Sequence, residues 1–226
     1  MGGRFLERIG RAAERAREEG LAAILVAPSP DYRYLTGYEP PPLERLTLLV
    51  VRAAADPVLL VPALEAPLAR ASPIGGSVEV VTWLDGEDPY AAAARLLPRE
   101  GTFAVGDRTW AAHLLGLQAR MPGARFVRAS PVLAPLRAVK DPDELELLGR
   151  AARGADEAFR RLVAGRLEGR SEEEVAGQLA DLLLEVGHGS VAFTIVASGP
   201  NGASPHHEPG GRVIRAGDAV VLDFGG

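Results

Sequence analysis

Three side chains in the segment Val196–Gly226 can do chemistry: His206, His207 and Asp223. An apolar run, Ala219 to Leu222, delivers Asp223 beside two glycines. A carboxylate at the end of a buried strand is costly unless something pairs with it. A metal ion turns that cost into a bond. The plainer reading is a strand-end aspartate that bonds backbone amides in a turn. Asp218 already fills that role in the Arg215-Ala-Gly-Asp218 turn, and Asp223 follows three consecutive apolar residues. That context moves the balance from a turn aspartate toward a metal ligand. One carboxylate does not hold a metal alone, so the remaining ligands are expected beyond it, where the sequence has only three more residues.

The histidine pair lies in a loop with Pro205 before it and Pro209 after it. Two fixed φ angles stiffen such a loop and hold a side chain in place without a helix. An imidazole so held can donate a hydrogen bond to a developing oxyanion. Two solvated loop histidines are the alternative, and that is the reading adopted for His207. Ser198-Gly-Pro-Asn-Gly202 lacks the Gly-Lys-Ser/Thr ending of a phosphate loop and reads as a turn. Ser198 and Ser204 lie in no Gly-x-Ser-x-Gly elbow, so neither reads as a nucleophile. Asp31-Tyr-Arg-Tyr-Leu-Thr-Gly-Tyr38 is an aromatic cluster that reads as a turn with packed rings, and His113 and His188 read as structural.

The elements that must position these residues fall into two rhythms. Phe5, Leu6, Ile9, Ala12, Ala13 and Ala16 repeat at helical spacing up to Gly20. Strands are expected at Leu21–Val26, Leu46–Val51, Pro57–Val61, Val78–Trp83, Phe103–Val105 and Arg125–Arg128, the second and third forming a hairpin around Asp56. Helices are expected between them at Glu65–Arg70, Pro89–Leu97 and Ala111–Met121. Alternating strands and helices imply an α/β domain around a mixed sheet.

Past residue 140 the rhythm changes. Asp141-Pro-Asp-Glu144 combines an N-cap, a first-turn proline and a capping-box glutamate. Leu145, Leu148, Ala152, Ala155, Phe159 and Leu162 then share one helical face. Ser171 and Glu174 make a second capping box before a helix with Val175, Leu179, Leu182, Leu183 and Val186 inward, closed by Gly187 and Gly189. The domain boundary is placed at Ala138–Asp141.

Composition narrows the chemistry. Hydrophobic residues make up 47% and aromatics 5%, so the core is mostly Leu, Val and Ala. The net charge is −5 with scattered basic residues, which argues against nucleic acid as a partner. With no Cys, disulfides and thiolate sites are excluded, and any metal must use oxygen or imidazole donors. Residues 1–20 carry Glu7, Glu14, Glu18 and Glu19 and lack the apolar core of a secretory signal. No apolar run approaches the ~20 residues that cross a bilayer. A cytoplasmic protein is expected.

Together these segments resemble the pita-bread metallopeptidases of the creatinase, prolidase and aminopeptidase P branch. Tyr34-Leu-Thr-Gly-Tyr38 resembles the signature of that family's N-terminal domain, and Leu136–Leu145 its junction and first catalytic helix. Val196–His206 resembles the loop with its substrate-facing histidine, and Gly217–Asp223 the strand presenting its first metal ligand. The resemblance implies a creatinase-like α/β N-terminal domain over residues 1–138, and the first part of an α+β pita-bread domain over residues 139–226. By position, Asp223 matches a ligand of two divalent ions, manganese or cobalt, and His206 a stabiliser of the tetrahedral intermediate. It further implies a homodimer acting on proline-containing peptides, as an Xaa-Pro dipeptidase or aminopeptidase. The family's second Asp, ligand His and two Glu would follow Asp223, so the 226 residues are expected to be an inactive fragment that holds no metal. An exposed edge at Val220–Phe224 favours the same view. The rival readings are a creatinase-like C–N hydrolase and a non-catalytic binding or dimerisation module.

Overall fold

The computed structural model describes residues 2–226. The chain divides into two compact units, one ending at Val139 and the other beginning at Lys140.

In the first unit the elements run in chain order α1 (Gly3–Glu18), β1 (Ala23–Val26), α2 (Pro30–Thr36), β2 (Leu48–Arg52), β3 (Val58–Pro62), α3 (Ala66–Ala71), β4 (Glu79–Trp83), α4 (Pro89–Arg95), β5 (Gly101–Val105), α5 (Ala111–Arg120), β6 (Ala124–Arg128) and α6 (Ser130–Ala138). The strands form one mixed sheet in the order β4-β3-β2-β1-β5-β6. β2 is antiparallel to both of its neighbours, and the β3–β4, β1–β5 and β5–β6 pairs are parallel. β2 and β3 are the expected hairpin, with Arg52 Nε donating to the Asp56 carbonyl at 2.7 Å across its turn.

Both faces of the sheet's inner strands are covered, which is why β1, β2 and β3 read as continuous apolar runs rather than as alternations. Ile24, Val26, Leu49, Val51 and Ala104 point to one face, where Phe5, Ile9 and Ala12 of α1 and Val132, Leu133 and Leu136 of α6 cover them. Leu25, Leu48, Val50, Phe103 and Val105 point to the other, under Ala92 and Ala93 of α4 and Leu117 of α5.

The Tyr34-Leu-Thr-Gly motif is the end of α2, a helix in place of the expected turn, and each residue in it has a mechanical task. Tyr34 donates its hydroxyl to the Leu136 carbonyl at 3.1 Å, with the Arg8 guanidinium 4.3 Å over its ring. Leu35 is fully buried. Thr36 Oγ1 donates to the Tyr32 carbonyl and accepts from the Tyr38 amide. Gly37 closes the helix at φ 67°, and a Cβ there would meet the Phe5 ring at 2.4 Å. Only glycine meets both conditions.

The second unit is α7 (Pro142–Val163), α8 (Glu172–Glu185) and the antiparallel hairpin β7 (Phe193–Ser198) with β8 (Val220–Gly225). Both expected capping boxes are formed, Asp141 with Glu144 and Ser171 with Glu174. Val175, Leu179, Leu182 and Leu183 of α8 pack with Ala158 and Leu162 of α7 and Val196 of β7. The stripe expected on α7 is only partly buried. Leu162 is covered, but Leu145, Leu148 and Phe159 are 59%, 54% and 42% exposed. Length accounts for the two leucines: α7 has 22 residues, ~33 Å, and α8 has 14, ~21 Å, so α8 covers the end of its longer partner that holds Ala158 and Leu162. Among the described residues no helix is long and apolar enough to cross a membrane.

Candidate active site

His206, His207 and Asp223 all belong to the second unit, and the α8 N-terminus organises the loop that carries the two histidines. Glu172, the first residue of α8, has no exposed surface. Its side chain turns inward instead of joining the capping box that Glu174 completes. Oε1 accepts from the Ser198 amide at 2.7 Å, the Ser198 hydroxyl at 2.7 Å and Asn201 Nδ2 at 3.0 Å. Oε2 accepts from Asn201 Nδ2 at 3.0 Å and His207 Nε2 at 2.7 Å. Burial alone would raise the pKa of this carboxyl. The bonds from the Ser198 hydroxyl, His207, the Ser198 amide and Asn201 outweigh burial and hold it at about 2. Glu172 is thus ionised at neutral pH, and the shared hydrogen resides on His207 Nε2.

The network continues outward. Ser198 Oγ also accepts from Arg212, and Arg212 makes two bonds to Asp218, at 2.8 and 3.3 Å. Arg212, and then the Arg215 amide at 2.9 Å, hold the Asp218 carboxyl below the usual range. Gly199 sits at φ 51°, and a Cβ there would come within 2.7 Å of both Arg212 Nη2 and Asp218 Oδ1. The glycine after Ser198 therefore makes room for an ion pair.

The α8 backbone holds the far side of the same loop. Glu172 N donates to the Arg212 carbonyl at 3.0 Å and Glu173 N to the Gly210 carbonyl at 3.2 Å. Those amides have no partner within the helix, so the loop caps α8 as α8 anchors the loop.

Within this frame the histidine pair separates. The His207 amide donates to the Ser204 carbonyl at 3.3 Å, closing a turn with Pro205 and His206 at its centre. His206 is exposed at the corner of that turn. His207 is not the solvated side chain expected from the sequence. Its imidazole is turned in and bound to Glu172, with 19% of the side chain exposed. The partner stands 35 positions earlier, so nothing local to the pair reveals it.

Asp223 also differs from expectation. Val196 pairs with Leu222 and Ile195 with Asp223. Val220, Leu222 and Phe224 pack toward the α7–α8 core. Alternation puts Asp223 on the opposite face with Ile195 and Val221. There it is exposed, so the argument from burial cost does not apply. That face is not a typical solvent face, since Val221 beside Asp223 is 46% exposed and Phe193 44%. Gly202 lies against it, since a Cβ there would be 3.5 Å from Val221 Cγ2. The histidine loop therefore begins its course over the side of the hairpin that carries the aspartate. Among the described residues no three His, Asp or Glu side chains are arranged to hold a metal ion, so these residues do not make a metal site by themselves.

Ser198, fully buried and bonded on both sides, is not a free nucleophile. His113 is a core residue of the first unit, stacked on Trp110 at 5.8 Å and 3.3 Å from the Tyr90 hydroxyl. Glu172, Asn201 and Arg212 were missed in the sequence. The available signal was three consecutive glutamates, 172–174, at a helix start that needs only one to complete its capping box.

Residues 8–139 match the Creatinase/Prolidase N-terminal domain and residues 146–226 match metallopeptidase family M24. The chain is 38% identical over 224 residues to "Probable dipeptidase PepE" of Mycobacterium tuberculosis, covering 98% of this chain and 60% of that protein. Among solved structures, the dipeptidase PepE from Mycobacterium ulcerans superimposes with a TM-score of 0.95 at 38% identity, over 100% of this chain and 61% of the other. The prolidase from Thermococcus sibiricus gives 0.87 at 33%, over 97% and 61%. The chain spans about 60% of the length of the curated relatives it matches.

Proposed function

The chain belongs to the creatinase/prolidase branch of metallopeptidase family M24, and on that premise we propose that it carries part of the active site of a metal-dependent peptidase cleaving short peptides beside proline. Residues 1–138 are the N-terminal domain in this reading, and residues 139–226 open the catalytic domain. Asp223 is one carboxylate of a divalent-metal centre whose other donors lie outside these 226 residues. Such ions, manganese or cobalt, take oxygen and imidazole donors, a set to which Asp223 contributes one member. His206 donates its imidazole hydrogen to the peptide carbonyl oxygen as that oxygen gains negative charge under attack.

The observation that carries the reading is the exposed carboxylate of Asp223 on a half-apolar hairpin face that the histidine loop begins to cover. A solvent-facing structural aspartate needs no such neighbours. The relatives' names point to dipeptides, and a cytoplasmic homodimer completes the proposal.

The test is hydrolysis by the protein prepared at the length of its relatives, with manganese, on a panel of Xaa-Pro dipeptides, other dipeptides and creatine. Cleavage of dipeptides with preference for proline is expected. Cleavage of creatine alone would replace the reading with a C–N hydrolase. No turnover of any compound would leave the fold as a binding module.

A further inference from the structure

The histidine loop has little apolar material with which to order itself. Every residue from Gly202 to His206 is exposed. What fixes it is polar, and it converges on one turn of one helix. Glu172 spends its acceptor capacity on Ser198, Asn201 and His207, which lie upstream of or at the end of the Ser204–His207 turn. The Glu172 and Glu173 amides hold Arg212 and Gly210, downstream of it.

A buried carboxylate is costly before its bonds are counted. Helix α8 has no need of it, because Ser171 and Glu174 already complete the cap. The loop does need it. His206 occupies the third position of a turn whose fourth residue is tied to Glu172, and Pro205 in the second position sets φ. The bond at His207 fixes the exit of the turn and, through it, the direction in which the His206 side chain leaves. It also decides which histidine of the pair is available: His207 has its Nε2 committed, and His206 does not.

We propose that Glu172 and His207 are positioning residues that act through the Ser204–His207 turn to hold His206 toward the reacting carbonyl. This rests on the assignment of His206 above, and it can fail separately from it. Displacement of a catalytic group by about 1 Å can cost on the order of a hundredfold in rate. The pair is therefore expected to appear in turnover rather than in substrate binding or metal content.

The first measurement needs no activity. In the 226-residue protein, backbone relaxation of the His206 and His207 amides is compared among the wild type, His207→Ala and His207→Gln. Glutamine places its amide nitrogen where the imidazole Nε2 stood. His207→Ala should loosen residues 204–208 while amides in α8, β7 and β8 keep their shifts, and His207→Gln should restore order. An unchanged loop in His207→Ala overturns the proposal. So does unfolding of the whole second unit, which would make the contact a general staple. In the protein at the length of its relatives, His207→Ala should lower kcat by about tenfold to a hundredfold, with KM and bound metal within about twofold of wild type. His207→Gln should regain most of the loss. A strong loss in His206→Ala with none in His207→Ala overturns the positioning role and leaves the function standing. No loss in either variant counts against the function itself.

Discussion

His207 Nε2 lies 2.7 Å from Oε2 of Glu172, a carboxylate with no exposed surface, while its neighbour His206 is exposed. One member of a histidine pair is thus a fastener and the other is presented. Five donor–acceptor contacts meet at the Glu172 carboxylate, and all come from the segment Ser198–His207. Glu172→Gln would replace an ionised acceptor with a neutral amide that turns two hydrogens toward other donors. Charge-assisted hydrogen bonds contribute about 1.5–3 kcal/mol each, so a loss of about 2–4 kcal/mol in the second unit is expected. Trp83 and Trp110 both lie in the first unit, so tryptophan fluorescence does not report this loss. Hydrogen exchange of the Leu179 and Val196 amides does. Protection unchanged by the substitution would show that the network contributes little.

The same carboxylate predicts a pH dependence. Glu172 titrates at about 2 in the folded protein, against an ordinary value of 4.5. Between these values the unfolded chain takes up a proton that the folded chain refuses, so stability falls as pH falls. The contribution is complete above about pH 4.5 and is lost as pH drops toward about 2. Asp218, held low by Arg212, adds in the same direction. Amide exchange in α8 and β7 should accelerate through this window after correction for the intrinsic rate, and Glu172→Gln should flatten the change. An equal slope in both proteins would show that other carboxylates dominate.

What the sequence showed follows from where the information sits. The inner strands β1, β2 and β3 were legible because both of their faces are covered and their apolar runs are nearly unbroken, and the edge strands β4 and β6 because short apolar stretches stand between turn residues. The two capping boxes were legible because their partners stand three residues apart. Helices α2 and α6 were not. The first is seven residues of mixed aromatic and polar type, and the second contains Pro135, an interior proline that reads as a breaker. At the site, His206 and Asp223 were visible as residue types with local context. The Glu172–His207 bond was not, because its two ends are 35 positions apart and an inward-turned glutamate looks like its outward neighbours. The exposure of Asp223 was hidden too, since Val220, Val221 and Leu222 suggest a strand buried on both faces and only one face is covered.

Gly37 offers a check on the first unit. At φ 67°, with a Cβ destined to meet the Phe5 ring at 2.4 Å, alanine there is strained and overpacked together. Each effect costs about 1–3 kcal/mol. Gly37→Ala should lower the unfolding free energy of the first unit by that order, read from denaturant titrations followed by Trp83 and Trp110 fluorescence. Gly3→Ala, where no atom lies within 4 Å of the added carbon, is the control and should change little. Equal midpoints for the two variants would contradict the close approach of Gly37 to Phe5.

Asp223 and His206 should separate metal from turnover. Asp223 has a free carboxylate on the outer face of β8 and is expected to be a first ligand, so Asp223→Ala should lose metal and activity together. His206 is expected to touch substrate and not metal. In the protein at the length of its relatives, His206→Ala should keep its metal and lose about a hundredfold to a thousandfold in kcat, the scale of one oxyanion donor. Metal content by elemental analysis and kcat on an Xaa-Pro dipeptide, measured on the same samples, decide the matter. In the 226-residue chain itself neither substitution should alter activity, because one exposed carboxylate assembles no metal centre and no hydrolysis is expected. Metal-dependent cleavage by that chain, abolished by Asp223→Ala, would show that its own residues complete the site. Full metal occupancy in the longer protein carrying Asp223→Ala would remove Asp223 from the ligand set.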